Sequence, residues 1–264
     1  MRLWMIGCGN MGSAMLRRWV DSGTVAAADV DVVNRTDRVL PDGVRQAREL
    51  PDGPLPDIVV LGVKPQQLAE VAVRFAARLA DAPLLVSMLA GCDPATLSAA
   101  FPGPVAVQTM PNLPVELGRG VVAIHAPAAP ADPRATVDRL MAPLGLVEWF
   151  DDPARFAAAG ALSGTAPAFV FRVIDALAAG GRAIGLSPQE AAAVALAAVE
   201  GAAVMAAASD RTPAALADAV ASPGGMTREG LNVLDADRAL DTLFERTLTA
   251  VARRGAEMAA AAKG

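Results

Sequence analysis

Gly7, Gly9 and Gly12 stand in the spacing Gly-x-Gly-x-x-Gly, directly behind the apolar run Leu3-Trp4-Met5-Ile6 and ahead of Ser13-Ala14-Met15-Leu16. A strand that ends in such a turn and passes into a helix is suited to holding a pyrophosphate. Gly7 turns the backbone sharply off the strand, and Gly9 lets it approach phosphate without a Cβ in the way. Gly12 lets the helix pack closely, so that its free N–H groups and positive dipole end, over Asn10 and Met11, face the anion. The spacing by itself also fits a tight structural turn. The strand before it and the helix after it make it a dinucleotide site.

A second group of residues bears on which dinucleotide. Val30-Asp31-Val32-Val33 reads as a second strand and ends in Asn34-Arg35-Thr36, followed by Asp37 and Arg38. A site for NAD usually carries a carboxylate there to accept from the ribose 2′-OH. A guanidinium, a hydroxyl and an amide suit a 2′-phosphate instead, so NADPH is favoured, with NADH as the alternative. A solvated loop with ordinary charges is the structural alternative. The third group lies far away, in Ser222-Pro223-Gly224-Gly225-Met226-Thr227. Pro-Gly-Gly stops one helix, and the next begins with free N–H groups and a hydroxyl at its tip, which suits a small carboxylate.

These residues need elements to carry them. Continuous apolar runs over 58–63, 84–87 and 105–107 read as buried parallel strands, with 121–124 and 147–150 as further strands. Their ends carry Val63-Lys64-Pro65, Met88-Leu89-Ala90 and Met110-Pro111-Asn112-Leu113-Pro114. In an open α/β sheet the ligand lies outside the carboxyl ends of the strands, so these segments and the glycine loop converge on one site. Lys64 is a candidate general acid, but it reads rather as shaping the cofactor wall through its backbone, because Pro65 fixes the chain there. Beyond Asp152-Pro153 the chain reads as wholly helical, over 154–162, 167–180, 188–208, 213–220 and 237–262. Asp93-Pro94, Ser187-Pro188-Gln189-Glu190 and Thr212-Pro213 are N-terminal caps. The expected fold is α/β: a Rossmann-type doubly wound sheet over 1–152 and an all-helical dimerisation and substrate domain over 153–264. Its alanine-rich helices are apolar on more than one face, which calls for a second chain.

Composition excludes several chemistries. The 264 residues carry a net charge of −5, with a pI near 5.0, so neither nucleic acid nor anionic membrane is an expected partner. No long apolar run free of charge or glycine suggests a membrane span, and no signal peptide is read. Cys8 and Cys92 form neither a disulfide framework nor a metal site, which fits a cytoplasmic location. With no tyrosine and only His125, which reads as the polar end of a strand, triad hydrolases and tyrosine-based dehydrogenases are hard to build. Hydride transfer from a bound cofactor needs none of these groups.

Taken together, Gly7 to Gly12, Val63-Lys64-Pro65, Met110-Pro111-Asn112 with Pro114, Leu162-Ser163-Gly164 with Pro167, and Ser222-Pro223-Gly224-Gly225 with Thr227 resemble the pyrroline-5-carboxylate reductases over nearly the whole chain. The resemblance implies reduction of the small molecule L-1-pyrroline-5-carboxylate to L-proline with NADPH or NADH. It also implies a homodimer interlocked through the helical domain, with assembly into a decamer of five dimers. By position, Gly7, Gly9, Asn10, Met11 and Gly12 would bind the pyrophosphate, and Asn34, Arg35 and Thr36 the ribose end. Val63, Lys64, Pro65, Met88, Leu89 and Ala90 would line the nicotinamide half. The N–H groups of Gly225, Met226 and Thr227 would hold the substrate carboxylate, with the Thr227 hydroxyl at the ring nitrogen as the catalytic group. Phe169 where tyrosine is usual, Gln108-Thr109 before the Met-Pro-Asn run, Ala197-Ala198 and Met226 depart from the family pattern. They leave room for a reductase of another cyclic imine or a β-hydroxyacid, or for an inactive dinucleotide-binding regulator.

Overall fold

The computed structural model describes residues 1–263. In it β1 (Leu3–Ile6) leads into α1 (Asn10–Asp21), β2 (Val30–Val33), β3 (Arg45–Ala47) and β4 (Ile58–Leu61). Then come α2 (Leu68–Leu79), β5 (Leu84–Ser87), α3 (Pro94–Ala100), β6 (Val105–Pro111), β7 (Gly120–His125), α4 (Ala131–Met141) and β8 (Gly145–Trp149). The strands form one sheet in the order β3-β2-β1-β4-β5-β6-β7-β8, parallel except between β6 and β7. β1 sits centrally, with Leu3 beside both Val30 and Ile58, so its end is where the strand order reverses.

Burial on both faces explains why β1 and β4 are apolar throughout. Leu3, Met5, Val30, Val32, Ile58 and Val60 face one layer, with Met15, Leu16 and Trp19 of α1 and Leu140 of α4. Trp4, Ile6, Val59 and Leu61 face the other, with Val71, Phe75 and Leu79 of α2 and Leu97 of α3. Both faces of the sheet are covered, as a parallel sheet requires.

The remaining helices are α5 (Pro153–Ala183), α6 (Pro188–Ala207), α7 (Pro213–Ala219), α8 (Met226–Asp235) and α9 (Ala239–Lys263). The anticipated caps are in place. Asp93 Oδ1 accepts from Thr96 N at 2.8 Å, and Thr212 Oγ1 accepts from Ala215 N at 3.2 Å. Ser187 and Glu190 satisfy each other reciprocally, which holds the Glu190 carboxyl below its ordinary pKa. The chain falls into two compact units, Met1–Gly164 with the chain from Ala252 onward, and Thr165–Val251. Within the second, Ala178 of α5 packs on Ala191 and Ala195 of α6, with Ile174 beside them. Large apolar side chains there, among them Phe171, Val194, Val204 and Leu243, remain exposed.

Several expectations need correction. The segments 154–162 and 167–180 are one continuous helix that runs through Pro167. Proline costs a helix the bond to the carbonyl four residues back, here Ser163, and that carbonyl accepts from Asn112 Nδ2 at 2.9 Å instead. By length and composition α5 and α6 are both long and apolar enough to cross a membrane, although α5 carries Arg172 and Asp175 and α6 carries Glu190 and Glu200. β6 extends past 107 to Pro111 because β7 returns beside it, pairing Gln108 with His125 and Pro111 with Val122. The last helix begins at Ala239, after left-handed residues at Asp237 and Arg238.

β3 is a strand that the hydrophobic pattern did not reveal. Its Arg45 donates to both carboxylate oxygens of the buried Asp31, at 2.5 and 2.7 Å, and Gln46 Oε1 accepts from Asn34 Nδ2 at 3.0 Å. Arg45→Ala would leave the Asp31 carboxylate without that partner. It is expected to lower stability by about 1–2 kcal/mol, discounted because Arg45 itself is half exposed. Urea unfolding at neutral pH measures it.

Candidate functional site

Two cavities lie along the carboxyl edge of the sheet, and they share Gly9, Gly62 and Val63. The larger, about 370 Å³, is walled by Gly7 and Cys8, by the residues that follow β2, and by α2. The smaller, about 320 Å³, is walled by Asn10, Met11, Gly12, Met88, Met110 and Pro111.

The glycine loop is set by a backbone-to-backbone approach. Gly62 N donates to Ile6 O at 2.9 Å, and Gly7 N donates to Val33 O at 2.8 Å. Gly7 has φ +85°, and a Cβ there would lie 2.6 Å from Val63 Cγ1. A Cβ on Gly62 would lie 2.3 Å from the Gly7 carbonyl oxygen. Around Gly9 the opposite holds: a Cβ would meet nothing within 4 Å, so the backbone borders open space. No side chain caps α1, whose first helical bond runs from Ser13 N to Gly9 O at 2.8 Å. The N–H groups of Asn10, Met11 and Gly12 lie ahead of that bond, at the positive end of the helix dipole. A pyrophosphate fits this uncapped end.

Past β2, Asn34 is buried, and its amide is already committed. Its Oδ1 accepts from Cys8 N at 2.7 Å and its Nδ2 donates to Gln46. Asn34 therefore holds the glycine loop onto β3, and its side chain has little left for a ribose. Arg35 and Thr36 border the larger cavity together with Arg38, Arg48, Lys64 and Arg74, against one lining carboxylate, Glu70. Arg35 lies 3.6 Å from Glu70, Arg48 3.0 Å from Asp37, and Arg74 pairs with Glu49. Among the described residues Arg38 and Lys64 form no ion pair, so they are the cations left uncompensated. An anion is the ligand this cavity suits.

The backbone of Lys64 is committed on both sides. Its N–H donates to Gln67 Oε1 at 3.1 Å, and its carbonyl accepts from Gln67 N at 2.9 Å, which closes the turn. Val63 borders both cavities and Met88 the smaller one. Pro65, Leu89 and Ala90 line neither, and Leu89 is fully buried with its N–H bonded to Ser87 Oγ at 3.2 Å. Arg48 and Arg74 reach the cavity from just past β3 and from α2, and the sequence carries no signal for either, since β3 lacks a hydrophobic pattern. His125 belongs to the frame: its Nδ1 lies 2.7 Å from Phe150 O, and its ring stacks on Phe156.

The Ser222 to Thr227 turn lies in the other unit. Gly225 precedes the first turn of α8, and Met226 and Thr227 open it, both exposed. Gly225 N already donates to Ser222 O at 2.9 Å, so its N–H is not a free donor. The donors at this tip are the N–H groups of Met226 and Thr227 with the Thr227 hydroxyl. Gly225 instead permits the turn, since a Cβ there would lie 2.5 Å from Ser222 Oγ. Arg228 is held by Asp218 at 2.8 Å.

Residues 153–258 match the family model described as pyrroline-5-carboxylate reductase dimerisation. Residues 2–91 match the one described as NADP oxidoreductase, coenzyme F420-dependent. The pyrroline-5-carboxylate reductase of Pseudomonas aeruginosa is 32% identical over 279 residues, covering 98% of this chain and 97% of the relative. Among solved structures, a pyrroline-5-carboxylate reductase from Coxiella burnetii is similar at a TM-score of 0.88 and 28% identity, over 97% of each chain. Plasmodium falciparum pyrroline carboxylate reductase with NADP bound has a TM-score of 0.80 at 23% identity, over 100% of this chain and 98% of that one, a likeness of fold.

The two thiols are not built as nucleophiles. Burial pushes both the Cys8 and Cys92 thiols above their ordinary pKa, with the Ser13 contact opposing at Cys8 and Asp93 adding at Cys92. Both stay protonated at neutral pH and are shielded from solvent. Native protein at pH 7.5 is expected to react with a thiol-titrating disulfide reagent far more slowly than denatured protein, with no acceleration before the alkaline range.

Proposed function

The chain belongs to the pyrroline-5-carboxylate reductase family, and from that premise we propose that it reduces L-1-pyrroline-5-carboxylate to L-proline with NADPH, the last step of proline biosynthesis. The observation that carries this reading is the whole-chain likeness to a reductase of that name, spanning both the nucleotide half and the helical half. We assign the nucleotide role to residues 1–152 and the dimerisation and substrate role to 153–264. The second range carries the family's dimerisation domain, whose exposed apolar helix faces a partner copy would cover. A cytoplasmic homodimer is the assembly we propose, with a decamer of five dimers as the larger form.

Gly7, Gly9 and the N–H groups of Asn10, Met11 and Gly12 would hold the pyrophosphate of NADPH, and Asn34 would keep that loop in place through Cys8. Arg35, Thr36 and Arg38 would take the 2′-phosphate. Val63 and Met88 would border the nicotinamide half directly, with Lys64 and Pro65 supporting Val63, and Leu89 and Ala90 supporting Met88, rather than in contact. When bound, NADPH supplies the hydride, which the imine carbon accepts. The N–H groups of Met226 and Thr227 would hold the substrate carboxylate. The Thr227 hydroxyl would hydrogen-bond the ring nitrogen and steer a solvent proton to it, since a protonated imine is the better hydride acceptor. No histidine or tyrosine acid is required.

Steady-state oxidation of NADPH with L-1-pyrroline-5-carboxylate tests this directly. Turnover to proline supports it, and NADPH binding without turnover contradicts it. In the same assay Thr227→Ala is expected to lower kcat by about a hundredfold while NADPH affinity holds. Equal losses in both would remove its assigned role. Arg38→Ala is expected to raise KM for NADPH about tenfold and leave KM for NADH unchanged, because a charge-assisted bond to the 2′-phosphate is lost.

A further inference from the structure

The smaller cavity has one wall, Met110 and Pro111, that is fixed from behind. Met110 lies against Gly160 of α5 so closely that a Cβ there would sit 1.9 Å from its Sδ. The next residue, Asn112, is buried at 7% exposure, and both ends of its amide are used. Val121 N–H, which can only donate, meets Oδ1 at 2.8 Å. The Ser163 carbonyl, which can only accept, meets Nδ2 at 2.9 Å. These two partners fix which way the amide points, with no choice of flip. Asn112 N also donates to Val121 O at 3.2 Å, so backbone and side chain together extend the pairing of β6 with β7. The Ser163 carbonyl is available because the residue four positions later is Pro167, which has no N–H to offer it.

We propose that Asn112 is a positioning residue for hydride transfer, tying the Met110 and Pro111 wall to the α5 carbonyl that Pro167 leaves free. The proposal rests on the function above, which puts the nicotinamide against Val63 and Met88 in that same cavity. Asn112 touches neither substrate nor cofactor in this account. It holds the wall that sets how closely and at what angle the hydride donor meets the imine. Pro167 and Asn112 act as one device, 55 positions apart in the chain: the proline removes a helical bond and the asparagine uses the acceptor.

The full-length enzyme tests it through Asn112→Asp, which keeps the size and the acceptor for Val121 and loses the donor to Ser163. Turnover is read with NADPH carrying hydrogen or deuterium at C4, and binding with 2′,5′-ADP, which lacks the nicotinamide. The variant is expected to lose about a hundredfold in kcat, as a small misplacement of reacting groups does, with a larger isotope effect and unchanged 2′,5′-ADP affinity. Wild-type kcat, or an equal loss of 2′,5′-ADP affinity, would overturn the positioning role. Thermal unfolding gives a second arm that needs no substrate. Pro167→Ala restores an N–H for the Ser163 carbonyl, so it is expected to raise Tm more in the Asn112→Ala background than in wild type. Equal shifts in both backgrounds would overturn the tie. A wild-type enzyme that turns over no pyrroline-5-carboxylate would count against the proposed function, while the unfolding comparison would still decide the tie.

Discussion

Two strand ends meet at Gly7 and Gly62 with no room for a side chain between them, and the nucleotide half depends on that contact. The loop after β1 rests on the loop after β4, a Cβ on either glycine would strike the facing segment, and Val63 is pressed against Gly7. This approach aims α1 so that its uncapped end faces the open space beside Gly9. It also places Gly62 and Val63 where both cavities border them. Asn34 then keeps the loop from lifting, through its bond to Cys8 N. A buried amide with both ends used is worth most as a constraint on shape, because freeing either partner would leave a buried polar group unpaired.

The two ends of the site run on different physics. The larger cavity is electrostatic: its guanidinium groups are mostly paired, yet Arg38 and Lys64 carry charge with no ion-pair partner among the described residues. The smaller is shaped by packing, with Met88, Met110 and Pro111 at the wall and the Asn112 amide behind it. Charge recruits an anion over some distance and tolerates a loose fit. Hydride transfer depends on the separation of two carbons and needs the stiffer wall. In the helical unit the balance shifts again. Its core of small alanine contacts leaves large apolar side chains outward, a surface that a partner copy would cover.

What was legible in the sequence was local. The strands over 3–6, 58–61 and 84–87 announced themselves as largely apolar runs, that over 30–33 as three valines around Asp31, and the caps at Asp93, Ser187 and Thr212 as short motifs, because each depends on neighbours within a few residues. The glycine loop was legible for the same reason. What escaped depends on distant partners. β3 reads as Arg-Gln-Ala and is a strand because Asp31 and Asn34 bind it. α5 passes through Pro167 because an amide 51 residues before Ser163 takes the freed carbonyl. Asn34 was read as a ribose ligand from its position, and only the Cys8 and Gln46 contacts place it in the frame. Gly225 was likewise read as a donor, while its N–H closes the turn.

We infer that this chain moves a hydride straight from NADPH to the imine carbon of pyrroline-5-carboxylate, with the ring nitrogen protonated from solvent. Mass analysis of the proline formed from NADPH deuterated on one or the other face of C4 tests it. Direct transfer leaves a single deuterium at C5 of proline from one of the two labelled cofactors and none from the other. Unlabelled proline from both, or label from both faces alike, would contradict it.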